Sequence, residues 1–383
     1  MASMYEPIET GSRSQRTFSF AARLLGALKL DGPLLVGLGL ITLYGFVILY
    51  SASGQSWNRV IDAAIRAALG GFAMCALAQV KPAFLRRLSL PLWIVGVVLL
   101  VVVDITGHIG KGAQRWLDLG FIRFQPSEIM KLAVPMTCAW WLHDRPLPPT
   151  MPQLAVLFFV FIAIPTGLTI LQPDLGTGGL ILIGGMMVII MAGLQFRVMF
   201  GLAAAGAAAA WFAWQYVLYD YQKQRVFTLL DPESDKLGAG YHIIQSQIAI
   251  GSGGVFGKGL LNGSQGQLEF LPERTTDFIY AMVGEELGLL GATILLLLYL
   301  FVVGRALYLA VETQDTFARL LAGSIALTFF VYVFINAGMV SGLLPVVGVP
   351  LPLVSYGGTS MVTLLAGFGI LMSLYSHRKL IAT

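Results

Sequence analysis

Long apolar runs separated by short polar intervals dominate the chain. A membrane span needs about 20 apolar residues in helical form. Ten runs meet that measure, near 33–51, 60–80, 88–104, 128–143, 152–171, 177–194, 198–217, 278–304, 318–341 and 356–376. The fourth is short and carries Glu128 and Lys131. The fifth and sixth are parted only by Gln172-Pro-Asp-Leu-Gly. Backbone polar groups inside lipid must be satisfied within their own segment, which favours helices. The pattern predicts an all-α polytopic membrane protein of about ten transmembrane helices, with a long outer loop, 218–277, between the seventh and eighth. Residues 1–30 read as an N-terminal tail, 31–377 as the membrane domain and 378–383 as a C-terminal tail.

Composition agrees. Hydrophobic residues make up 57% of the 383 and charged residues 11%, against roughly 25% charged in soluble proteins. So few charges could not keep a soluble surface of this size wet. The net charge of +4 does not imply nucleic acid, because Lys and Arg are scattered through short loops and form no basic stripe. Cys75 and Cys138 sit in apolar runs and read as packing residues. The four His show no metal-ligand spacing. The first 30 residues lack an apolar core or cleavage site, so the first helix is expected to remain as an anchor.

Positive charge in short loops sets orientation. Counting loops alternately, Arg13, Arg16, Arg23, Lys29, Lys81, Arg86, Arg87, Arg145, Arg197, Arg305, Arg319, Arg378 and Lys379 fall on one side. That side is expected to be cytoplasmic, with both termini. The segments richest in unusual polar residues, 104–127, 172–176, 218–277 and 342–355, then share the outer side. A one-sided active site would look like this.

Several motifs carry candidate chemistry. Phe270-Leu-Pro-Glu-Arg-Thr-Thr-Asp277 closes the long loop and opens the eighth helix. Asp277 is expected in its first turn, either as a helix cap with Thr275 or Thr276 or as a base at the mouth of a cavity. Glu285 and Glu286 lie about 12 Å deeper on the same helix. Intramembrane acids are costly and point to function or to pairing with a neighbouring helix. Gln125-Pro-Ser-Glu128-Ile-Met-Lys131 reads as a helix start with Ser127 as cap. Glu128 and Lys131 share a face, either as a self-neutralising pair or as a Lys aimed at a lipid phosphate and oriented by Glu128. Lys111-Gly-Ala-Gln-Arg115-Trp116-Leu-Asp118 looks interfacial, with Arg115 able to meet phosphate. In the long loop, Tyr221-Gln-Lys223-Gln-Arg225 adds cations. The run from Gly251 to Gly259 fails the nucleotide-loop pattern, since Ser252 stands at the first glycine position and no Ser or Thr follows Lys258. It reads as a flexible loop whose backbone could approach a ligand. Three prolines between Gly342 and Gly358 forbid regular helix there, and Asn336 is expected to bind the freed backbone groups.

At these residues the chain resembles the SEDS family (shape, elongation, division and sporulation), and within it the RodA branch. The resemblance covers the chain from about residue 30 onward. It rests on Ala113-Gln-Arg-Trp, Gln125-Pro-Ser-Glu, Gln172-Pro-Asp-Leu-Gly, Gly240-Tyr-His-Ile-Ile-Gln-Ser, Leu271-Pro-Glu-Arg-Thr-Thr-Asp, Gly284-Glu-Glu-Leu-Gly and Pro350-Leu-Pro-Leu-Val-Ser-Tyr-Gly-Gly. Arg274 favours RodA over the FtsW branch. The resemblance implies a ten-helix inner-membrane glycosyltransferase that polymerises lipid II into β-1,4 glycan strands during cell elongation, with inversion at the donor sugar. The implied partner is a class B penicillin-binding protein. Asp277 is then the expected base, with Arg115 and Lys131 stabilising the departing diphosphate. Glu128, Gln125, Arg225 and Glu285 complete the candidate substrate-binding set. No nucleotide is needed, and a divalent cation at the diphosphate is left open. A lipid flippase is the alternative, although polar groups across both leaflets would then be expected. A docking face for the partner is expected on the eighth and ninth helices near Gly338 and Gly342, unless these glycines pack only within the bundle.

Overall fold

The computed structural model describes residues 25–377, except 107, 111–112, 119–122, 195, 217, 219, 236–237, 269 and 272. Residues 1–24 of the expected N-terminal tail, the C-terminal tail 378–383 and Lys111 lie outside the described residues.

Each apolar run is helical. The first three are α1 (Gly32–Ala52), α2 (Trp57–Gln79) and α3 (Pro82–Thr106). A small antiparallel sheet follows, β1 (His108–Gly110), β2 (Ala113–Asp118) and β3 (Arg123–Phe124). Next come α4 (Pro126–His143), α5 (Met151–Leu171, with a π-helical turn at Leu157–Ile162), α6 (Leu175–Met191) and α7 (Phe196–Tyr216). The indole of Trp93 donates to the Phe161 carbonyl inside that turn. Among the described residues, six helices are long and apolar enough to cross a membrane by length and composition, α6 and α13 are shorter apolar helices, and α7 contains a third. The chain is a polytopic all-α membrane protein. The sheet was not foreseen, because strands as short as these leave no periodic signal.

The long outer segment is not loop. It folds as α8 (Asp220–Leu230), a 3-10 turn (Pro232–Asp235), α9 (Ala239–Gly253) and α10 (Ser264–Gln267). The bundle is completed by α11 (Ile279–Val311), α12 (Thr316–Val340) and α13 (Ser360–Ser376). The core between them is tightly packed, with Phe278, Phe317, Phe329 and Phe368 all at most 2% exposed.

The glycine-rich run is packed rather than flexible, which corrects the expectation. Helix α11 is broken at Gly288, whose φ of 65° interrupts the intrahelical bonding. Residues 254–259 supply the missing partners. Lys258 and Gly259 donate to the carbonyls of Glu285 and Glu286, and Leu289 and Leu290 donate to Gly254 and Val255. The approach is so close that a β-carbon on Gly288 would stand 2.3 Å from the Gly257 nitrogen. Buried backbone groups at a break must find partners, and here an outer segment provides them.

One further expectation is corrected, and one open alternative is narrowed. Ser127 does not cap α4; Gln125 occupies that position, and the Ser127 hydroxyl is buried at the second residue of the first turn. The glycines proposed for partner docking are spent inside the chain. A β-carbon on Gly338 would meet Leu344 at 2.9 Å, and one on Gly342 would meet Gln247 at 2.3 Å.

Candidate functional site

Three chain segments meet at one end of the bundle. The hairpin strand β2 brings Arg115 and Trp116, the N-cap and first two turns of α4 bring Gln125, Glu128 and Lys131, and the start of α6 brings Asp174 and Thr177. With Tyr332 of α12 and the irregular segments Gly348–Pro350 and Gly357–Ser360, they line a cavity of about 190 Å³.

The reason for this convergence is local. Pro126 starts α4 where its missing N–H costs nothing. Glu128 and Lys131 then fall one turn apart on the cavity face. Their ion pair measures 2.7 Å with both side chains 8% exposed. The Lys131 ammonium also lies 5.6 Å from the centre of the Tyr332 ring. On α6, Asp174 caps the helix by accepting from the Thr177 amide. Its other oxygen accepts from Gln125 at 3.0 Å and faces Arg115 at 3.5 Å. Arg115 donates as well to the Pro173 carbonyl at 3.0 Å.

Two cations and two carboxylates thus line the cavity as two ion pairs and sum to zero charge. Among the residues described as lining this cavity, two buried atoms lack a partner: Arg115 Nε, a donor, and Glu128 Oε2, an acceptor. Unsatisfied buried polar atoms cost about 1–3 kcal/mol each, and their position in a polar cavity is the signature of a site that takes a polar ligand. No group of three or more His, Cys, Asp or Glu that could hold a metal ion is found among the described residues.

Asp277 borders this region beside Gly348. Helix α11 starts two residues later than expected, at Ile279, with Phe278 at its N-cap and no side-chain cap bond. Asp277 therefore precedes the helix, and its half-buried carboxylate faces Gly348, on which a β-carbon would stand 3.5 Å from Oδ2. The backbone around it is fixed by the proline-rich segment. Asn336 donates to the Asp277 carbonyl at 2.8 Å and to Val349 at 2.7 Å. Ser355 donates to Thr276, and the Tyr356 amide donates to Thr275. The expectation for Asn336 holds.

The structure gathers Arg115, Gln125, Glu128 and Lys131 into one cavity and places Asp277 at its border. Arg225 lies outside the lining and donates to the Val346 carbonyl, two residues from Gly348. Glu285 is not brought to the cavity. It is fully buried and accepts from Lys258 at 2.7 Å, from Ser264 and from the amides of Gln265 and Gly266. Asp174 and Tyr332 were missed. Asp174 carried a signal, an acid after proline at the start of an apolar run; Tyr332, one aromatic in an apolar helix, carried none.

These features define a class, a membrane-embedded helical bundle with a polar site confined to one end. Comparison with known proteins narrows it. The family model for FTSW_RODA_SPOVE, described as cell cycle protein, matches residues 32–380, and the chain belongs to this family. Over 353 residues it is 50% identical to the peptidoglycan glycosyltransferase MrdB of Escherichia coli K12, covering 92% of this chain and 95% of that one. It is 35% identical to a probable peptidoglycan glycosyltransferase FtsW of Trichlorobacter lovleyi, covering 91% and 94%. Among solved structures it resembles the rod shape determining protein RodA of Thermus thermophilus, with a TM-score of 0.68 at 28% identity over 91% of this chain and 97% of that one. It also resembles a chain from a structure described as the coordination of polymerization and crosslinking by a peptidoglycan synthase complex, with a TM-score of 0.80 at 30% identity over 91% of this chain and 99% of that one.

Proposed function

We propose that the cavity between β2, α4 and α6 holds the diphosphate of a lipid-linked sugar donor, and that Asp277 activates the acceptor. The chain is a peptidoglycan glycosyltransferase of the inner membrane, as the relatives that cover nearly its whole length are named. The substrate we infer is lipid II. The observation that carries the reading is the pair of cations Arg115 and Lys131, with Arg115 Nε unpaired, in a cavity bordered by the Asp277 carboxylate.

In this reading the Asp277 carboxylate takes the proton of the acceptor hydroxyl. The freed oxygen attacks the anomeric carbon of the donor, the carbon–oxygen bond to the diphosphate breaks, and the undecaprenyl diphosphate leaves with the electron pair. Attack opposite the leaving group turns the α-linked donor into a β-1,4 product. Arg115 and Lys131 stabilise the negative charge that gathers on the leaving oxygens, which is the larger contribution in most group transfers. Glu128 and Asp174 hold those cations in place. Below Lys131 the cavity gives way to an apolar pocket of about 40 Å³ lined by Leu132, Pro135, Phe329 and Phe368. An apolar floor supports one-sided chemistry over passage of a headgroup across the membrane.

We further infer that both termini face the cytoplasm and that residues 218–277 face the periplasm. A class B penicillin-binding protein is the proposed crosslinking partner. The decisive experiment is polymerisation of purified lipid II by the purified protein with its partner, with and without Asp277. Equal glycan synthesis by a folded Asp277→Asn variant would remove the base from the mechanism.

A further inference from the structure

The bundle has a second cavity, with cations at its rim, at its other end. Helix α3 is 25 residues long, about 37 Å at the helical rise. Arg115 follows its C-terminal end; Lys81 precedes its N-terminal end. The cavity there measures about 530 Å³. Its walls are the start of α3, the turn between α11 and α12, and the end of α13.

Its chemistry is cationic above and apolar below. Lys81, Arg86 and His377 line it, and one guanidinium nitrogen of Arg86 is bonded to the His143 ring. Lys29 stands 2.7 Å from the His377 Nε2. The acid in the lining is Asp315, so Lys81 and Arg86 leave the lining one positive charge in excess. One Asp315 oxygen caps α12 through the Ala318 amide, and the other lies 3.5 Å from His143. Phe317 and Leu374 form the floor and are at most 2% exposed to solvent. The N-terminal end of the α3 dipole adds partial positive charge. None of these groups takes part in the transfer described above.

Basic pockets between membrane helices, at headgroup depth and over an apolar floor, suit a phospholipid whose phosphate carries net negative charge. We propose that this cavity binds the headgroup of an anionic phospholipid in the leaflet opposite the transferase site. Lys81 and the guanidinium nitrogens of Arg86 not bonded to His143 meet the phosphate. A headgroup fits the volume, which lies within the usual range for small-ligand sites, about 300–1,000 Å³. The opposite leaflet means that this lipid does not compete with the donor.

Native mass spectrometry of the full-length protein in detergent tests the proposal, titrated separately with phosphatidylglycerol and phosphatidylethanolamine. Phosphatidylglycerol should be retained preferentially. Each cation removed should weaken that retention about fivefold, the factor for roughly 1 kcal/mol per Lys or Arg near the headgroup. The Lys81→Gln/Arg86→Gln variant should lose about 25-fold by the same arithmetic. Lys81→Arg should bind as the parent does. Retained polymerisation by the double variant serves as the folding control. Equal retention of the two lipids, or an unchanged double variant, overturns the proposal. Displacement of phosphatidylglycerol by millimolar inorganic phosphate overturns the lipid assignment in favour of a soluble anion.

Discussion

Arg115 and Asp174 face each other at 3.5 Å across the gap between a surface hairpin and the first turn of α6. The carboxylate also accepts from Gln125 and caps its own helix. One acid therefore ties three segments of the cavity together. Asp174→Asn keeps an oxygen for the Thr177 amide but loses the charge that holds Arg115. Thermal stability should change little, while polymerisation should fall roughly tenfold to a hundredfold, as misplacement of a binding group does. Asp174→Ala should also lose the cap, about 1 kcal/mol. Parallel melting curves and lipid II assays separate the two effects.

Asp277→Asn should leave the fold intact, since Asn matches Asp in shape and the residue 277 carbonyl keeps its bond from Asn336. Loss of a general base costs typically about 10²–10⁴-fold in rate. The measurement is single-turnover glycan synthesis at saturating lipid II, where binding no longer limits the rate.

Lys131 calls for a paired design. Removing it alone leaves Glu128 buried without its countercharge, a loss of about 3–5 kcal/mol. Lys131→Met should therefore fold poorly, and its inactivity would say little. Lys131→Met with Glu128→Gln removes both charges and should recover most of the melting temperature. If the ammonium serves the diphosphate, the double variant stays inactive although folded. Recovered activity would make the pair purely structural.

Glu285 is the sharpest divergence between sequence and structure in the candidate set. Glu285→Gln keeps an oxygen for the donors that meet Oε1, so it should lose little stability and retain polymerisation. Lys258→Ala strands a buried carboxylate and should destabilise the protein more. A polymerisation defect in folded Glu285→Gln would return this residue to the substrate-binding set.

Orientation can be read directly. With Cys75 replaced, cysteines at Ser234 and Ser376 should differ in intact spheroplasts: an impermeant thiol reagent labels the first and spares the second. The reverse pattern would invert the bundle.

The spans were legible because lipid imposes a length and a composition on them, and each apolar run from Leu34 to Tyr375 lies on a helix. The gathering of Arg115, Glu128 and Lys131 was legible for a related reason: charged residues at membrane depth must converge on a polar interior. Asp277 was placed to within two residues of the helix start. What escaped was tertiary pairing. Nothing local in Gly254–Gly259 announces that its backbone completes another helix, and nothing in Lys258 points to Glu285. Gly338 and Gly342 showed the right spacing for a helix partner, yet their neighbours come from the same chain.

The break at Gly288 bears on cooperativity. Four backbone hydrogen bonds join residues 254–259 to the two halves of α11, so the outer segment and the membrane helix cannot open separately without exposing unpaired amides in a dry environment. Amide exchange should report this as one event: the protons of Lys258, Gly259, Leu289 and Leu290 should exchange at a common rate, set by a single opening. The long outer segment is then a splint on a fractured helix, and a graft that replaced it with a flexible linker would melt the membrane bundle from within.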